Sequence, residues 1–207
     1  VFQYIDSHPK YSKTVKSMAK VISLVESRCH HFWRCGVHGS ASHNYFPLRE
    51  KNRQGGFGIM QLTSREFLSR ETIWSWKKNV DMSLSYISRC YEIGKDHLSR
   101  HPEGVTEKMI VLETYNRYNG GLFSRYYWWN DGTRPGLSKG WIKFGYIPSG
   151  IENKGYRDYN GDGKADPDGN PWNIPPKKDS GKIIDGPNKA VNRAAFYADR
   201  ALSFGKI

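Results

Sequence analysis

Between Val15 and Arg28 apolar residues return at three- and four-residue steps: Val15, Met18, Ala19, Ile22 and Val25. That spacing predicts a helix whose apolar stripe faces a core. A second helix is expected over Asn79 to Ile93, with Val80, Leu84, Ile87 and Tyr91 on one face. A third runs from Thr106, its cap, to Tyr118, carrying Met109, Ile110, Val111 and Leu112 until Gly120-Gly121 stops it. Thr63 or Ser64 would cap another that begins near Arg65. Asn188 to Ser203 closes the series, with Ala190, Val191, Ala194, Ala195, Ala198 and Leu202 as a small-residue packing face. Elsewhere the period is lost. Val1 to Ser12 reads as an irregular leader, because His8-Pro9 blocks a helix. His30 to Gln54 is polar, aromatic and turn-rich, a long ordered loop or small β excursion of the kind that walls a cleft. Leu122 to Pro187 is dominated by Gly, Pro, Trp and Tyr. The pattern therefore predicts a mainly α chain. One α-rich domain would be interrupted by residues 122–187, with the final helix docking back on the first ones.

Its 207 residues suffice for one sizeable core, or a core with a small appendage. A start at Val1 suggests a module of a larger protein, monomeric in its own right. No apolar run reaches the length of a membrane span, so no transmembrane segment is expected. Lys and Arg outnumber Asp and Glu by 32 to 20, and the net charge of +12 favours an anionic partner: nucleic acid, lipid or cell wall. Aromatic side chains at 14% suit bases and sugar rings alike, so composition does not choose among these polymers. No zinc-finger spacing, RNP motif or basic heptad region is present, so no specific nucleic-acid partner is expected.

Three stretches carry candidate chemistry. Glu26 lies beside Val25 at the edge of the first apolar stripe, where partial desolvation favours the neutral carboxyl a general acid needs. The alternative is a helix-edge glutamate that reaches water. Gly55-Gly56-Phe57-Gly58-Ile59-Met60-Gln61 allows tight turns and close approach of a ligand, or simply leads into a buried helix start. Asp158, Asn160 and Asp162 occupy the first, third and fifth positions of an EF-hand-type loop, with Gly163 at the sixth. Lys164 would offer its backbone carbonyl and Asp166 a ninth-position oxygen to a structural calcium ion. The twelfth position is Gly169 rather than glutamate, and an ion-free Asp/Asn/Gly turn remains the alternative. Cys29, His30, His31, Cys35, His38 and His43 crowd one segment and could hold zinc; a local disulfide or free thiols, with Cys90 the third cysteine, are the other readings.

Glu26-Ser27 at a helix end, Gly56-Phe57-Gly58-Ile59-Met60-Gln61 after a loop, and a Tyr-Asn-Gly motif ending a later helix stand in a familiar order. Over about Thr14 to Gly121 plus the final helix, the chain resembles the soluble lytic transglycosylase and goose-type lysozyme group. The resemblance implies a lysozyme-like α+β fold: residues 1–121 and 188–207 as catalytic core, 122–187 as insertion with its calcium loop at 158–169. It implies Glu26 as general acid, with Ser27, Met60 and Gln61 lining the sugar cleft. Tyr118 and Asn119 would contact substrate or position Glu26, with Tyr115-Asn116 a second register three residues earlier.

The activity so implied is cleavage of the β-1,4 bond between N-acetylmuramic acid and N-acetylglucosamine in peptidoglycan, secreted or delivered to the periplasm or cell wall of a bacterium. No cofactor would enter the chemistry. A hydrolase needs a second carboxylate at roughly 6.5–9.5 Å to activate water; Glu50 is the one carboxylate between Glu26 and Gln61. It would fill that place, or pair with Arg49, Lys51 or Arg53 in a charged turn. A transglycosylase needs no second carboxylate, because the sugar's own 6-hydroxyl attacks. The rival readings are a non-catalytic peptidoglycan-binding module and a basic nucleic-acid-binding domain.

Overall fold

The computed structural model describes residues 1–32, 46–49, 55–63, 66–119, 124–129, 140–143 and 189–204. These are mostly helical: α1 (Phe2–Ser7), α2 (Lys13–Ser27), α3 (Arg70–Trp74), α4 (Trp76–Ser99), α5 (Glu107–Tyr118) and α6 (Lys189–Phe204), with strands β1 (Tyr126–Trp129) and β2 (Gly140–Lys143). The mainly α expectation holds at that level. Two compact units divide the chain, 1–89 with 200–207, and 90–199. The boundary at 89/90 falls within α4.

In the first unit, α2 forms for the reason its spacing gives. Val15, Met18, Ala19, Ile22 and Val25 are all buried, and Ser12 caps the helix by accepting the Val15 N–H at 3.2 Å. The leader is not irregular as expected. Residues 2–7 form α1, which Ile5 anchors with no exposed surface and Lys20 ties to α2 by pairing with Asp6 at 2.6 Å. His8, before Pro9, is extended and ends it. Of the stretch 30–54, the described residues make isolated bridges, Phe32 to Pro47 and Arg49 to Phe57, and a third, Phe57 to Leu62, follows it. The next cap falls at Ser69 rather than at Thr63 or Ser64. Ser69 and Thr72 form a reciprocal capping box, which fixes the start of α3.

α4 starts three residues before the expected helix and ends six after it. Val80, Leu84 and Ile87 are buried as expected; in the second unit Cys90, His97 and Leu98 extend the buried series. α5 is capped by Thr106 and buried around nearly its whole circumference. The stretch expected to be irregular contains an antiparallel hairpin, in which Trp128 faces Trp141 across β1 and β2. Its indoles and His101, just beyond α4, hold it: Trp141 Nε1–H donates to His101 O at 2.7 Å, and the His101 ring stacks on Trp128 with centroids 4.4 Å apart. Cross-strand aromatic pairs stabilise such two-stranded ribbons. No described helix is long and apolar enough to cross a membrane.

Candidate functional site

Glu26 is the penultimate residue of α2 and half-buried. The helix does not fray beyond it. Arg28 and Cys29 both adopt left-handed backbone, φ 54° and 63°, and their N–H groups return to Leu24 O and Ser23 O at 3.0 and 2.9 Å. This satisfies carbonyls that a helix end otherwise leaves open. Non-glycine residues pay a steric penalty there, on the order of 1–2 kcal/mol each. The sharp turn sends the chain from α2 directly to His31.

The next residue, Ser27, donates its hydroxyl to Ile59 O at 2.7 Å, across 32 positions of sequence. The end of α2 and the glycine motif are therefore joined. Two buried side chains complete the joint. His31 accepts the Ile59 N–H on Nδ1 at 3.1 Å, which puts its proton on Nε2, facing Ile73 O at 3.0 Å. Burial pulls its pKa below the usual histidine value, keeping the ring neutral. Asn79, wholly buried, accepts the Met60 N–H at 3.0 Å and donates to Phe57 O at 3.1 Å and Thr72 O at 3.0 Å.

Between these clamps the motif makes a tight turn. Phe57 and Leu62 exchange both backbone bonds, at 2.9 and 3.1 Å. Gly58 has φ +73° and presses on His31; a Cβ there would lie 2.5 Å from the ring's Cε1. Glycine at this point is a packing requirement. Met60 is fully buried. Gln61 is half-buried, with left-handed backbone at φ 49° and its amide Nε2 donating to Gly58 O at 2.7 Å. Glu26, Ser27, Met60 and Gln61 thus belong to one local assembly, while Glu50 lies outside the described residues.

Near this assembly Phe46 and Trp74 are 54% and 50% exposed, with ring centroids 5.9 Å apart. Both are too large and apolar to be left in water without consequence, and no periodicity marks them. Arg49 stacks over Phe57.

The second unit holds the other motif. Tyr115 is fully buried; its hydroxyl has no hydrogen-bond partner among the described residues, and burial pushes its phenol up. Asn116 is 3% exposed, whereas Asn119 is exposed and caps α5. Tyr118 is buried. One residue escaped the pattern reading: Glu113, inside the apolar run of α5 and without exposed surface. It accepts the N–H of Arg125 at 2.6 Å and of Tyr126 at 3.3 Å, and pairs with Arg117 at 2.9 Å. Burial pushes its carboxyl up, against the pull of Arg117 and the two amides. Those contacts make it the anchor of the hairpin's first strand. Its legible signal was a charge at a core position of an otherwise apolar helix.

The calcium-loop residues Asp158, Asn160, Asp162, Lys164 and Asp166 lie outside the described residues, as do Cys35, His38 and His43. Both nitrogens of His31 are engaged, by Ile59 of the turn and by Ile73, and the Cys29 thiol lies 3.3 Å from the Ser23 hydroxyl. No three potential metal-ligating side chains converge among the described residues. No family model, curated protein or solved structure matches this chain.

Proposed function

We propose that this chain is a peptidoglycan-cleaving glycosidase in which Glu26 is the general acid. One observation carries the reading: the Ser27 hydroxyl bonds Ile59 O, so the glutamate's helix end sits against the Gly-Phe-Gly-Ile-Met-Gln turn. Two stretches that sequence order alone had paired are physically adjacent within one unit. Glu26 is half-buried at the C-terminal end of α2, and donation of a proton to a glycosidic oxygen is the role a carboxyl group would take there. The left-handed turn at Arg28 and Cys29, the Ser27 bond and the His31 and Asn79 clamps hold that end and the turn in fixed geometry, the preorganisation an acid catalyst needs. Of the two registers of the tyrosine–asparagine motif, Asn119 is exposed and Asn116 is buried. The surplus of cations suits an anionic murein.

Glu26→Gln tests this. The amide is nearly isosteric but carries no acidic proton, so clearing of a murein suspension should fall by at least about a hundredfold, with the melting temperature retained. Parental clearing by the variant would remove Glu26 from the chemistry. Binding of murein by the parent without soluble fragments would favour the non-catalytic module instead. Where fragments appear, their mass separates the routes, because anhydro ends are lighter than reducing ends by one water.

A further inference from the structure

Arg49 is a cation held over an aromatic ring, with no counter-charge among the described residues. Its backbone bridges Phe57 in antiparallel register, its guanidinium lies 5.4 Å above the Phe57 ring centroid, and it packs on Gly55. Gly55, whose φ is +56°, lies beside the guanidinium; a Cβ there would sit 3.4 Å from Arg49 Nε. Four other arginines face carboxylates: Arg117 faces Glu113, Arg125 Asp199, Arg89 Glu66 and Arg100 Asp96. No carboxylate pairs with Arg49 among the described residues, and the residue is exposed.

A guanidinium placed over a ring keeps N–H donors for a further partner. It matches a carboxylate bidentately, and a side chain already held by one contact loses less freedom on binding. The position matters as much as the chemistry. Phe57 exchanges its backbone bonds with Leu62, so the same turn that carries Gln61 carries the seat of Arg49.

We propose that Arg49 is an anion-recognition residue beside this turn, binding a carboxylate borne by the glycan substrate. The inference rests on the glycan-cleaving reading above and deepens it. In an alternating glycan, the muramic sugar carries a lactyl ether that ends in a carboxyl group, and the glucosamine sugar carries none. A stacked arginine beside the turn therefore distinguishes the two sugars by charge and sets which of them occupies the adjoining subsite. Arg49 touches no reacting bond in this scheme; it selects and registers the strand.

The test titrates a tetrasaccharide of alternating N-acetylglucosamine and N-acetylmuramic acid into the Glu26→Gln protein by calorimetry, so that turnover does not intervene. The same glycan with its lactyl groups as methylamides is the matched neutral probe. In low salt the acid form should bind roughly three- to tenfold more tightly than the amide, from the upper part of the range of an ordinary exposed ion pair to beyond it. Adding Arg49→Ala should bring that ratio to about one. Arg49→Lys should recover less than half of it, because a point charge lacks the fork, and Phe57→Leu should lower it although the charge remains. Added salt should narrow the parent's ratio. Each ratio is internal to one variant, so partial loss of folded protein cancels. An unchanged ratio in Arg49→Ala, or equal binding of acid and amide by the parent, overturns the inference. If the wild type clears murein while the ratio is one, the Arg49 inference falls alone. If neither form binds and no murein is cleared, the glycan-cleaving reading falls and takes this inference with it.

Discussion

Two glycines show how much a residue's surroundings decide. Gly58 and Gly104 have nearly equal backbone angles, φ +73° and +74°. A Cβ on Gly58 meets His31 at 2.5 Å and Asn79 at 2.8 Å, whereas on Gly104 it meets nothing within 4 Å. Gly104→Ala should therefore cost about 1 kcal/mol, the left-handed penalty alone. Gly58→Ala should cost about 2–4 kcal/mol, because neither a buried ring nor a three-bonded amide can give way cheaply. Urea unfolding of both variants checks this, and equal losses would refute the clamp around the turn. The three closely spaced glycines announced that turn in the sequence. Its clamps did not announce themselves. His31 sat in a His- and Cys-rich run that pointed to metal, and Asn79 looked like an ordinary polar residue near a helix start. A backbone turn recruits side chains from 19 and 28 positions away, and no local period encodes such partners.

Elements were legible where one face alone is apolar. α2 and the centre of α4 follow their stripes, and α5 starts at its expected cap. The leader helix was hidden because six residues are too few for a period, and Ile5 alone fastens them. The hairpin was hidden because Trp128 and Trp141 become partners only once His97 and His101 support them. His97 makes this support dependent on pH. It is 6% exposed, faces Tyr126 O at 2.8 Å, and burial pulls its pKa down to about 4, with Arg117 and Arg100 nearby acting in the same direction. The unfolded chain then takes up a proton below about 6.5 that the folded state refuses until about 4. Stability from this group is full above the higher value and lost as pH falls through the window, by about 2–3 kcal/mol in all. Melting temperature should decline from pH 7 to 4.5 more steeply for the wild type than for His97→Gln. Parallel declines would place the acid sensitivity elsewhere.

For the whole chain, the sequence foretold the helical class and the meeting of the α2 end with the glycine turn. The division at 89/90 and 199/200 was not foreseen, since no linker composition marks it and α4 and α6 run straight through. The proposed calcium loop is testable at this scale. If Asp158, Asn160 and Asp162 hold an ion, excess calcium should raise the melting temperature over that in EDTA, by linkage of binding to folding. Asp158→Ala should abolish the difference, and identical melting of the wild type in both buffers would dismiss the site. The arrangement of the units also sets a clock. Residues 200–207 complete a unit whose other members all precede residue 90, and Ala201 among them is fully buried. At about 5–20 residues per second, a ribosome needs roughly 5–20 s to make the about 110 residues between. Throughout that interval the nascent N-terminal portion carries its helix end and glycine turn without the residues that finish its core, which makes it a customer for chaperones.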